Sequence, residues 1–147
     1  MRQGQYDNLL HDPACAGVYR TLQEGMADLL AAAEASGLAT HRIDLSKVRD
    51  RTTLFECLAT TLKFPDWFGH NWDALADCLS DLSWLPAKGH VILLEHCDGF
   101  RDSHAEDFAS ALQVFADAAE AWRNENIPFW ILVDTSSADI PYLQALT

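Results

Sequence analysis

The chain has 147 residues, of which 49% are apolar and 22% charged, enough to bury a core as one soluble globular domain. Twenty-two acids against ten bases leave a net charge of -12. This excess argues against direct binding of nucleic acid or of an anionic membrane surface, which need a basic face, and it would draw in a basic partner.

The opening segment, MRQGQYDNLLHDPACAGV, lacks the apolar core of a secretory signal, and no run approaches the length of a membrane span. The cysteines, Cys15, Cys57, Cys78 and Cys97, form neither a CxxC pair nor a regular framework. They predict free thiols in a reducing cytoplasm. Ala16 to Arg20 is a short strand candidate. Leu22 to Ser36 predicts a helix with Met26, Leu29, Leu30 and Ala33 on one face and a stop at Ser36-Gly37. His41 to Leu45 predicts a strand. Thr53 and Glu56 have capping-box spacing for the next helix, whose apolar face is Leu54, Phe55, Leu58 and Leu62. Pro65 breaks it.

Asn71 is the expected N-cap of a following helix. Trp72, Leu75, Ala76, Leu79 and Leu82 share one face of that helix, with Cys78 beside it. Val91 begins VILLEHC, a near-continuous apolar run that predicts a strand covered on both faces. Asp98-Gly99 reads as a turn. Ser103 and Glu106 form a second capping-box pattern, and Ala105, Phe108, Ala109, Leu112, Phe115, Ala119 and Trp122 make a core stripe behind it. Phe129 to Val133 predicts a last strand. Alternating strands and helices imply an α/β fold, a small, mostly parallel sheet flanked by helices. The polar and mixed tail, Thr135 to Thr147, receives no fold role.

The stretch FPDWFGHNWDALADCLSDL, Phe64 to Leu82, contains no Lys or Arg, yet Asp73, Asp77 and Asp81 recur every fourth residue. Residues four apart on a helix are neighbours, and like charges there cost roughly 0.2–0.5 kcal/mol per pair. The helix dipole favours only Asp73, in the first turn. A solvated face is the plain reading of such a row. A surface held for a basic partner is the sharper one, because aromatic residues beside charges make interface hot spots. Between Trp67 and Phe68, the core can claim Phe68, along with Trp72, which leaves Trp67 as the exposed ring. His70, Asp73 and Asp77 could instead hold a divalent metal or perform acid–base work, although His70 precedes the N-cap. His96 and Cys97, at a strand end, read as a partly buried histidine beside a core cysteine.

The same stretch resembles the recognition segment of the barstar family, intracellular inhibitors of barnase-type ribonucleases. The shared pattern is carried by Pro65, Asp66, Trp67, Phe68, Gly69, Asn71, Asp73, Ala74, Leu75, Asp77, Cys78 and Leu79. LQVF at Leu112 to Phe115 is a weaker match, and the element order agrees. The resemblance runs from about His41 to Asp134. It divides one 147-residue domain into an N-terminal extension (1–40, an added strand–helix unit), a barstar-like core (41–134) and a tail (135–147).

The resemblance implies an inhibitor or immunity protein that plugs the active site of a basic ribonuclease or ribonuclease-like toxin, without a cofactor and without chemistry of its own. It places partner contacts at Trp67, Phe68, Gly69, Asn71, Asp73, Ala76, Asp77, Ser80, Asp81 and Glu106. Asp77 would take a phosphate site and pair with Arg and His side chains. Asp73 would meet a further basic group. Trp67 stands where the family has a tyrosine. Ala76 replaces a family tryptophan, and Ser80 aligns with a partner-facing threonine. The register set by LQVF puts Ala105 at a contact glutamate. Glu106 lies one position away, about 100° round the helix. These departures leave open a binding module for a non-nuclease partner.

Overall fold

The computed structural model describes residues 10–21, 23–135 and 144–145. Among them are five strands, Val18–Arg20 (β1), Ala39–Asp44 (β2), His90–Glu95 (β3), Phe129–Val133 (β4) and Gln144–Ala145 (β5). The helices are Gln23–Ala35 (α1), Arg51–Thr61 (α2), Trp72–Asp81 (α3), Asp98–Ser103 (α4) and Ala105–Asn124 (α5). The strands form one sheet in the order β2-β3-β4-β1-β5, with every pair parallel.

β3 and β4 are unbroken apolar runs because both their faces are covered. Ile92, Leu94, Phe129, Ile131 and Val133 join α2, α3, α4 and α5 in the larger core. Val91, Leu93, Trp130 and Leu132 pack on the other side with Leu29, Ala32 and Ala33 of α1. β1 pairs with β4, so the segment before residue 40 extends the sheet. The tail also contributes, contrary to its reading as fold-neutral: Gln144 and Ala145 pair with Tyr19 and Arg20. Two residues are too few to show a period. Of the helix expected from Leu22 to Ser36, Leu22 and the side chain of Met26 lie outside the described residues; Leu29 and Ala33 are buried as expected, and Leu30 is half-buried.

Several helix starts differ from expectation. α2 begins two residues before Thr53. Asp50 is its N-cap, taking the Thr53 amide at 2.8 Å, while Thr53 Oγ1 receives the Asp50 amide at 3.1 Å. Thr53 is therefore the third residue of the capping box and Glu56 stays exposed. A carboxylate at Asp50 accepts that amide as well as a hydroxyl at Thr53 could have capped a later start.

Asp98-Gly99 opens the short helix α4, which buries Phe100, and does not form a free turn. Ser103 bonds back to the Gly99 carbonyl at 2.9 Å and so closes α4. It does not cap α5, whose N-cap position, His104, makes no side-chain cap bond. Ala105 is exposed, and the buried face of α5 is Phe108, Ala111, Leu112, Phe115, Ala118 and Ala119.

His96 is exposed in a left-handed conformation (φ 56°), not partly buried, while Cys97 beside it is buried and bonds to the Leu94 carbonyl. All four cysteines are free. Among the described residues no helix is long and apolar enough to cross a membrane.

Candidate functional site

The loop between α2 and α3 is built by three local devices. The Phe68 amide bonds to the Pro65 carbonyl at 3.0 Å, folding the chain back after the proline. His70 takes a left-handed conformation (φ 54°), rare outside glycine, which turns the chain into the helix. Asn71 then caps α3: its side-chain oxygen receives the Ala74 amide at 2.8 Å, and its Nδ2 donates to the Gly69 carbonyl at 3.3 Å. A Cβ on Gly69 would lie 3.2 Å from that Nδ2. The glycine therefore leaves room for the cap, a role within the chain.

The two neighbouring aromatics part company. Phe68 turns inward, 6% exposed, against Phe64 (ring centroids 4.9 Å apart) and Phe55 (6.0 Å). Trp67 turns outward, 58% exposed, and is the one exposed large hydrophobic side chain among the described residues. Its ring stands edge-on to Trp84, at 6.4 Å and 86°.

α3 is fixed from below. Leu75, Cys78 and Leu79 are fully buried, and Leu82 closes the helix as a buried left-handed C-cap. Trp122 of α5 donates its indole N–H to the Leu79 carbonyl at 2.8 Å. Trp72 is half-buried against Phe55, at 4.9 Å, and Ala76 is half-buried. The expected inner face thus rotates slightly, with Cys78 at its centre. Burial, and then the charges of Asp77 and Asp81, push the Cys78 thiol up to about 11, so it stays protonated and unreactive.

Asp73, Asp77, Ser80 and Asp81 are all exposed on the opposite side of α3. Among the described residues no salt bridge reaches any of the three aspartates. Glu106 is exposed in the first turn of α5, on a separate element. Trp67, Gly69, Asn71, Asp73, Asp77, Ser80 and Asp81 therefore belong to one loop-and-helix surface, and Phe68 supports it from inside.

His70, Asp73 and Asp77 do not form a metal cage. Among the described residues no group of three or more His, Cys, Asp or Glu side chains could hold a metal ion. The His70 ring lies over Phe68 at 4.8 Å. Beside it, Arg51, Thr52, Phe55, His70, Asn71 and Trp72 line a pocket of about 320 Å³. Sequence reasoning passed over Trp84. The signal available was a lone tryptophan in LSWLP, a connection with no periodic core demand.

The sequence model of the family described as Barstar (barnase inhibitor) matches residues 38–134. A protein of Bacillus subtilis (strain 168) that bears the name "Putative ribonuclease inhibitor YrdF" is 36% identical over 72 residues, which are 49% of this chain and 76% of that protein. Among solved structures, the ORC2 protein of Aeropyrum pernix, in ADPNP–ADP complexes, aligns with a TM-score of 0.55 at 16% identity. The alignment covers 90% of this chain and 39% of that chain. So distant a likeness concerns the fold alone.

Proposed function

Because the chain belongs to the barstar (barnase inhibitor) family, we infer that it is a cytoplasmic inhibitor or immunity protein that binds a basic ribonuclease or ribonuclease-like toxin and occludes its active site. α3 and the loop before it form the contact. Asp77 occupies a phosphate site and Asp73 meets a neighbouring basic group. Trp67 packs on a ring or side chain at the rim, with Ser80 and Asp81 completing the surface. The protein does no chemistry: it blocks access, and its field speeds the encounter.

One observation carries this reading. Among the described residues the acidic row is exposed and meets no salt bridge, and it adjoins the one exposed large aromatic. A protein that needed this face only for solubility would do better with mixed charges.

The test is inhibition of a barnase-type ribonuclease by the wild type and by Asp77→Ala, at low and moderate salt. Inhibition that weakens at least tenfold with the mutation, and falls with salt, is expected for a charge-matched contact. Equal inhibition by both proteins would remove Asp77 from the mechanism. A second reading, a binding module for a non-nuclease partner, is favoured by the exposed alanine at position 105, with Glu106 turned one position away. Absence of inhibition at any salt would select it.

A further inference from the structure

Trp67 is the most exposed large apolar side chain described, yet its ring is not free. On one side stands Trp84, edge-to-face at 6.4 Å and 86°. Trp84 is itself held at three points. Its Nε1–H donates to the Leu62 carbonyl at 2.9 Å, an acceptor at the end of α2. Its ring meets Phe64 edge-on at 6.2 Å and 87°, and Phe64 packs on buried Phe68 at 4.9 Å. Its backbone lies in the turn closed by the Leu85 amide on the Leu82 carbonyl. A chain of rings thus runs from the buried Phe55 through Phe68, Phe64 and Trp84 to the surface at Trp67. It joins the loop before α3 to the turn after it.

We propose that Trp84 is a positioning residue, which holds the Trp67 indole in one orientation on the partner-facing surface. This rests on the reading of that loop as the contact with a ribonuclease. An exposed tryptophan on a loop otherwise samples several rotamers, and ordering it on binding weakens association about three- to tenfold. Edge-to-face packing against a pinned neighbour meets that loss during folding. The open face of Trp67 is left for the partner.

The experiment pairs two readouts on Trp84→Leu, which keeps apolar bulk and removes the ring edge. The first needs no partner: the 15N order parameter of the Trp67 indole N–H, assigned through Trp67→Phe. We expect a fall from near-rigid, about 0.85, to below about 0.6. An unchanged value in a folded Trp84→Leu protein overturns the proposal. Should the leucine variant not fold, Trp84→Phe serves, with a ring edge retained and the indole bond lost. Loosened Trp67 in Trp84→Phe then supports positioning by a pinned Trp84, and an unchanged order parameter there overturns it.

The second readout is the Kd for a barnase-type ribonuclease. Trp84→Leu should weaken binding three- to tenfold, and this loss should vanish in a Trp67→Ala background. A loss that persists there makes Trp84 a structural residue and overturns its positioning role. Failure of the wild type to bind that ribonuclease would count against the partner reading, while the order parameter still decides for or against Trp84.

Discussion

Asp77 has a like charge four residues away on each side, and no salt bridge among the described residues answers any of the three aspartates. Its carboxylate is exposed and supports nothing in the core. Asp77→Asn should therefore leave thermal stability unchanged or raise it, by no more than about 1 kcal/mol from the two repulsions removed. That is a rise of at most about 4 °C for a domain of this size. Calorimetry or a circular-dichroism melt decides: a clear drop would make Asp77 a structural residue. The same mutation should weaken inhibition, and that opposite movement of stability and binding is the mark of a residue kept for a partner.

At the scale of the element, α3 is presented by its ends. Asn71 closes the N-terminus and also ties down the Gly69 carbonyl. Asn71→Ala should cost about 1 kcal/mol, while Asn71→Asp or Asn71→Ser recovers most of it. Denaturant titration measures both, and an alanine variant as stable as wild type would show that packing alone sets this helix start. The sheet has a similar pinch point where β3 begins. A Cβ on Gly89 would stand 2.8 Å from the Pro128 carbonyl oxygen and 2.9 Å from Leu38 Cδ2. The backbone atom cannot give way as a side-chain tip can. Gly89→Ala should destabilise the protein by about 1–3 kcal/mol, read as a lower midpoint at unchanged m-value. Beneath α3, Trp122 and the buried line Leu75, Cys78 and Leu79 seat the helix on α5, so the acidic row is carried on a rigid base.

At the scale of the whole molecule, stability and the sheet meet at a histidine pair. His90 is 2% exposed, with its ring against Trp122 (5.9 Å) and Phe129 (6.1 Å) and its Nδ1 3.1 Å from His41 Nε2. Burial, and then the His41 charge, push His90 down to about 4, and burial lowers His41 as well. Above pH 6.5 both folded and unfolded chains hold these rings neutral, and their contribution is fully present. Between about 6.5 and 4 the unfolded chain takes up protons that the folded one refuses, so stability is lost as the pH is lowered. One such proton gives a slope of about 1.4 kcal/mol per pH unit. Unfolding at pH 5 should thus consume close to one proton more in the wild type than in His90→Asn. Melts across pH 4–7 test this, and parallel slopes in the two proteins would assign the acid sensitivity elsewhere.

The sequence by itself determined whatever depends on neighbours along the chain. Apolar periods placed the strand–helix alternation, the continuous run at Val91 revealed a strand buried on both faces, and Asn71 marked the start of α3. The outward turn of Trp67 and the inward turn of Phe68 were legible too, because Trp67 lies in a loop between Pro65 and Gly69 while the core can claim Phe68. The acidic row needed only the fourfold spacing of Asp73, Asp77 and Asp81. The tertiary structure alone decided the contacts between distant residues: Trp84 on the Leu62 carbonyl, His41 against His90, Trp122 on Leu79, and the pairing of Gln144–Ala145 with β1. It also chose Asp50 over Thr53 as the cap of α2, and closed α4 with Ser103. Such choices turn on which of several competent side chains the fold brings within bonding distance. That is fixed by packing between elements, and it leaves no period or spacing in the chain to be read.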